Sequence, residues 1–156
     1  MWRKATTVSP HTRTPTPRAC PIAASLDILG ERWTLLAVRE ISYGTHRFDK
    51  IAKYTGASRD ILTDRLHKLV DAGVLERRQY SERPPRYEYH LTEAGSELAP
   101  VLTALTIWGN KWAPDAPYTS TVHDCGQPLA VHMVCDHCGG GVGAPAEFSG
   151  SGILDV

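Results

Sequence analysis

Apolar residues recur at helical spacing through the first two thirds of the chain. After Cys20-Pro21, with proline tolerated in a first turn, Ile22, Leu26 and Leu29 repeat at i, i+4 and i+7 and predict a helix with one buried face that ends at Gly30. Thr34 is a suitable N-cap for a second helix whose apolar side holds Leu35, Leu36, Val38 and Ile41, with Ser42-Tyr43-Gly44 as the turn after it. Residues 46–54 predict a short helix with Phe48, Ile51 and Ala52 facing inward. Thr55-Gly56-Ala57 breaks it and Ser58 caps a longer one. In that helix Leu62, Leu66 and Leu69 form the buried row, widened by Ile61 and Val70, and Gly73 suits the left-handed position past its end. Two helices joined by a three-residue turn containing glycine are a helix-turn-helix signature. The outer side of the second shows Arg59, Asp60, Thr63, Asp64, His67, Lys68 and Asp71.

The period then changes to two. Residues 75–80 and 86–92 read as strands, and in the second Tyr87, Tyr89 and Leu91 alternate with Glu88 and His90. Between them SERPP makes a turn, and Arg77, Arg78, Arg83 and Arg86 cluster on the hairpin. A helix that stops at a glycine and runs into a basic hairpin is the core of a winged helix. The predicted fold class is therefore mainly α with a small β-hairpin, a winged helix-turn-helix. A helix over 93–112, capped by Thr92, carries Leu98, Val101, Leu102, Leu105, Trp108 and Trp112, with Pro100 predicting a kink or a late first turn. That stripe exceeds what a terminal helix of a small domain needs. It either packs back on the first helix or meets a second copy, with the Cys20 helices and the 93–112 helices of two chains sharing one core.

Composition adds one asymmetry. Net charge is zero, yet only one of the 17 Lys and Arg, Lys111, lies beyond Leu91, and none of the 17 Asp and Glu precedes Asp27. The first 20 residues carry +4, residues 21–90 about +2 and the remainder −6. A basic arm and a weakly basic middle suit a polyanion, although charge alone would not single out nucleic acid. No apolar run approaches the ~18 residues of a membrane span, and the start lacks the apolar segment of an export signal, so the expected location is cytoplasmic with reduced thiols. No nucleophile elbow, phosphate loop or carboxylate pair supports an enzyme. The predicted layout is a flexible basic arm (1–19), a winged-helix DNA-binding and dimerisation domain (20–114), a Cys/His-containing appendage (115–145) and a loose tail (146–156).

The run CPIAASLDILGERWTLLAVREI, then RFDKIAKY, then the stretch from Ser58 to Leu102 resembles the HxlR-type branch of the MarR-like winged-helix transcription regulators. The shared features are the Cys-Pro start, Gly-x-x-Trp-Thr (Gly30, Trp33, Thr34), Pro-Pro-Arg-x-x-Tyr (Pro84, Pro85, Arg86, Tyr89) and Leu-Thr-x-x-Gly (Leu91, Thr92, Gly95). The resemblance covers about residues 20–112. It implies a homodimer on a pseudo-palindromic duplex operator, as repressor or activator, with two recognition helices roughly 34 Å apart. DNA contacts are then expected from Arg59, Asp60, Thr63, Asp64, His67 and Lys68 on the helix and from Arg78, Arg83 and Arg86 on the hairpin. The chain departs from the family at Asp60 and Asp64, where basic or amide side chains are common. Those carboxylates either read cytosine, pair with Arg59, Arg65 or Lys68, or favour the helix N-terminus. The resemblance also implies a thiol sensor at Cys20, since a thiol at a helix start gains thiolate character. The other reading is a small residue packed at the subunit interface. A small aromatic effector near Trp33, Trp108 and Trp112 is a further expectation, with plain core packing as its alternative.

Outside the resemblance lies VHDCGQPLAVHMVCDHCGGGV. Cys135-x-x-Cys138-Gly is a zinc-knuckle pattern, and His123 with Cys125, also followed by glycine, supplies a second half. His132 and His137 are spare donors, and 129–134 suits a strand of a small ribbon. Structural zinc, a dithiol switch at Cys135/Cys138, and neither are all open at this point.

Overall fold

The computed structural model describes residues 20–113, 115 and 122–142. The predicted arm, the loose tail and the ends of the appendage lie outside them. The order is α1 (Pro21–Leu29), α2 (Arg32–Ser42), α3 (Phe48–Thr55), α4 (Arg59–Asp71), β1 (Leu75–Glu82), β2 (Pro85–Leu91), α5 (Glu93–Ser96) and α6 (Ala99–Trp112). The chain divides into one unit ending at Ala99 and another beginning at Pro100. The mainly α fold with an antiparallel hairpin is the predicted winged helix-turn-helix.

The first unit is built round α4. Leu62, Leu66 and Leu69 are completely buried, in a core with Ala37, Val38 and Ile41 of α2, Ile51 of α3 and Leu75 of β1, and α4 packs on α2 and β1. Each such side chain is worth about 1.5–3 kcal/mol of removed apolar surface, so the row fixes the rotation of α4 about its axis. Ser58 caps it by accepting the Ile61 N–H, and the turn before it uses Gly56 at φ 74°, a left-handed conformation. Ile61, expected to widen the buried stripe, is exposed, because the core stops at the leucine row.

Three boundaries differ from the sequence pattern. Helix α2 starts before Thr34, with Glu31 as its cap, and Thr34 is buried on the face it shares with Val38 and Ile41. Helix α3 starts at Phe48 because His46 and Arg47 run extended along β2. The Tyr89 N–H donates to the His46 carbonyl at 2.9 Å, and Arg47 bridges Glu88. The predicted 93–112 helix is two helices, α5 and α6, with Pro100 in the first turn of α6, the late first turn that proline allows.

The hairpin is held at both ends. At the base, the Thr92 hydroxyl donates to the Gly73 carbonyl (2.6 Å), while its oxygen accepts the Gly95 N–H (3.2 Å) and caps α5. Gly73 stands at φ 71°, and a Cβ on Gly95 would lie 2.2 Å from the Val74 carbonyl oxygen. Farther along, the Arg47 Nε donates to Glu88 Oε1 at 3.1 Å, and the His46 and His90 rings stack at 4.1 Å. These contacts cover Glu88 and His90, so the expected alternation is blunted and only Tyr89 of β2 is buried. The hydrogen bond from Arg47, helped by its charge and by His90, holds the Glu88 carboxyl below its usual range against the burial that would raise it.

Two helices keep apolar faces in contact with solvent. The expected buried face of α1 is open, with Ile22 72% and Leu26 57% exposed, and α6 has no buried residue while Val101, Leu105, Trp108 and Trp112 are exposed.

Two outcomes are expected. Gly95→Ala forces backbone apart at the Thr92 latch and lowers stability in urea melts by about 1–3 kcal/mol; an unchanged midpoint would show that the latch yields freely. A lowered folded-state carboxyl pKa contributes stability above the unfolded value, lost as the pH falls through the folded one. Glu88→Gln therefore lowers the melting temperature at pH 7, and its gap from the parent protein closes as the pH drops below about 4. A gap constant with pH would exclude the carboxylate charge as the cause.

Candidate nucleic-acid interface

With the leucine row of α4 inward, the opposite face presents Arg59, Asp60, Thr63, Asp64, His67 and Lys68, all exposed. The structure brings these together on one surface, but several already have partners. Arg59 Nη1 donates to Asp49 Oδ1 of α3 at 2.7 Å, and its guanidinium lies 4.8 Å from the centre of the Phe48 ring. The Thr63 hydroxyl donates to the Arg59 carbonyl at 2.8 Å. Asp64 sits 3.1 Å from Arg65 and 3.5 Å from Lys68, one of the pairings anticipated for it. Asp60 occupies the first turn of α4, where the helix end favours a carboxylate.

The hairpin has two unlike faces. Residues on either side of Arg77 and Arg78 alternate across the ribbon, with Arg77 opposite Tyr89 and Arg78 opposite Glu88. Arg77 stacks on Tyr87 at 3.5 Å. Arg78 pairs with Glu76. Arg83 lies exposed in the turn and Arg86 follows it. A break in register between Gln79 and Ser81 leaves Tyr80 out of the pairing, and its ring lies 4.7 Å from the Arg47 guanidinium.

Between the inner face of the hairpin and the starts of α3 and α4 lies a cleft of about 640 Å³. It is lined by Arg47, Lys50, Arg59, Arg77 and Arg86, by Phe48, Tyr80, Tyr87 and Tyr89, and by a single carboxylate, Asp49. Five cations against one anion make it a strongly positive groove beside the outer face of α4, although the whole chain is neutral. Sequence reasoning missed Arg47 and Lys50. They precede and begin a helix far from the hairpin in sequence, and only the pairing of Arg47 with Glu88 brings them to it.

Cys20 is the N-cap of α1, half-buried, with its sulfur accepting the Ala23 N–H at 3.3 Å. In the second unit the predicted metal donors occupy two turns. Cys125 N–H points at His123 Nδ1 (3.3 Å). The Cys135 sulfur receives backbone N–H groups from Cys138 and His137 and a hydrogen bond from the Cys138 thiol, in that order of effect, which hold its pKa below the usual thiol range. Among the described residues no three His, Cys, Asp or Glu side chains gather round one point as they would round a bound metal ion.

Comparison with known proteins agrees with this geometry. The HxlR-like helix-turn-helix family matches residues 28–117. An HTH-type transcriptional regulator of Mycobacterium tuberculosis (strain ATCC 25618 / H37Rv) is 39% identical over 121 residues, covering 76% of this chain and 77% of its own. YdeP of Bacillus subtilis (strain 168), another HTH-type regulator, is 36% identical over 94 residues, 60% of this chain and 73% of its own. Among solved structures, PA1607, described as a transcription factor, superposes with a TM-score of 0.71 at 34% identity over 82% of this chain and 92% of its own. The redox regulator HypR in its reduced form superposes with a TM-score of 0.56 at 28% identity over 62% and 98%. None of the described helices is long and apolar enough to cross a membrane. The chain belongs to the HxlR-like helix-turn-helix family and is a DNA-binding transcriptional regulator of the MarR-like winged-helix type.

Proposed function

We propose that the chain acts in the cytoplasm as a homodimer on a pseudo-palindromic duplex operator, with α4 in the major groove and the hairpin along the adjoining backbone. The observation that carries this reading is the cleft of five cations beside the exposed polar face of α4. Base reading is assigned to Arg59, Asp60 and Thr63 near the start of α4, with Asp64, His67 and Lys68 farther along it. Backbone contact is assigned to Arg77, Arg83 and Arg86 of the hairpin, and also to Arg47 and Lys50, which line the same cleft as Arg77 and Arg86. Arg78 contributes less, since it pairs with Glu76 and does not line the cleft. Self-association is supported by the uncovered apolar faces of α1 and α6.

Selection from a random duplex pool is expected to return an inverted repeat with half-sites about one turn apart. Arg59→Ala relaxes base preference at one position in each half-site. Arg77→Ala and Arg86→Ala weaken binding to all sequences alike, each reducing the salt slope by about 0.9. No enriched motif at low salt would mean that the fold serves protein contacts instead. Light scattering is expected to give twice the 17.1 kDa chain mass; the single-chain mass at micromolar concentration would remove the dimer.

A second reading is carried by Cys20, whose sulfur meets a helix-start N–H while remaining partly accessible. HypR, a structural neighbour, is a redox regulator. Under diamide, two Cys20 thiols of a dimer would lose their hydrogens to the N=N bond and form one S–S bond, while a quinone would instead be attacked by one thiolate. Oxidant or electrophile is expected to release DNA from the parent protein and not from Cys20→Ser. Release from both would end the Cys20 role, and release from neither would point to a non-covalent effector, such as an aromatic ligand near Trp33, Trp108 or Trp112.

A further inference from the structure

We infer that residues 122–142 form a structural zinc site, with His123, Cys125, Cys135 and Cys138 as the four ligands of one ion. The segment contains two turns of the same make. In the first, Val122 bridges Pro128, the His123 N–H donates to the Gln127 carbonyl (2.9 Å), and Gly126 takes φ 81° directly after Cys125. In the second, Val134 bridges Gly141, the Cys135 N–H donates to the Gly140 carbonyl (2.8 Å), and Gly139 takes φ 68° directly after Cys138. In both, the N–H two residues on points at the first donor: Cys125 N–H at His123 Nδ1, and His137 N–H at the Cys135 sulfur.

The second argument is what the segment lacks. None of the 21 residues is buried, and Val122, Val131, Met133, Val134 and Val142 are all exposed. Segments below about 40 residues without a core usually need a metal, a disulfide or a partner to hold one shape. A Cys135–Cys138 disulfide would close only the second turn, leaving the matching first turn without a role. Two turns offering two donors each fit a tetrahedral ion with every position filled, a closed site with no place for substrate. The turns do not converge on one point, and residues 129–133, which join them, form neither helix nor strand. An ion held by all four donors would draw the halves together.

The test uses the full chain, stripped with chelator and reductant and then given zinc chloride. Elemental analysis after gel filtration is expected to find one zinc per chain. His123→Ala, Cys125→Ser, Cys135→Ser and Cys138→Ser should each cut this at least tenfold, and His132→Ala should leave it unchanged. The thermal transition of the winged-helix unit, retained in every variant, keeps misfolding from imitating ligand loss. Cobalt in place of zinc should give the intense visible bands of a tetrahedral site, which the same four variants abolish. Zinc absent from the reduced chain, or full zinc retained by both His123→Ala and Cys125→Ser, would overturn the assignment.

Discussion

Burial of Leu62, Leu66 and Leu69 is the constraint on which the rest of the regulator depends. The three leucines are buried where α4 packs on α2 and the start of the hairpin. Turning α4 by one residue would bring either Arg65 and Lys68 or Thr63 and His67 into that space, and burying an unpaired polar or charged group there costs several kcal/mol. The rotation of α4 is thereby fixed, and with it the identity of the six polar residues on its outer side. The polar outer face of α4 is thus carried on a backbone that has no freedom to roll.

The hairpin is positioned by a different kind of contact. Its base is a set of short polar bonds: Thr92 joins the end of α4 to the start of α5, and Gly73 and Gly95 let the backbones come close enough for those bonds. Its middle is held by Arg47 and His46, which reach β2 from the segment before α3. The cleft therefore has one wall from the helix-turn-helix and one from the hairpin, with Arg47 belonging to both. A change in the charge of Glu88 or His90 acts on the junction of these walls.

Much of this was legible in sequence. The 3.6-residue period of the leucines, the change to alternation after Gly73 and the order of the short motifs gave the fold and the outer face of α4. What escaped depended on distance in three dimensions. Thr34 resembles a cap, because a threonine buried inside a helix and one at its start look alike in one dimension. Arg47 and Lys50 look like ordinary surface cations until β2 is placed beside them. The stripe on α1 has the period of a buried face, yet within one chain that face is open. Periodicity reports that a surface is apolar, not which molecule covers it.

The ion pairs on α4 raise the question of whether its charges are free to meet DNA. Arg59 is held by Asp49, but both side chains are more than two-thirds exposed, and an exposed pair is worth only about 0–1 kcal/mol. A bidentate contact to guanine discriminates by about 1–3 kcal/mol, so breaking the pair costs less than the contact returns. Asp49 would then remain in the cleft as the one charge that opposes phosphate, amid four other cations. Asp64 differs, because Arg65 and Lys68 share it along the same helix, and its neutralisation comes without leaving α4. On this balance Arg59 is free to exchange its partner, while Asp64 chiefly keeps Lys68 and Arg65 in place. Asp64 then serves to hold cations in position, rather than to repel a backbone it would face.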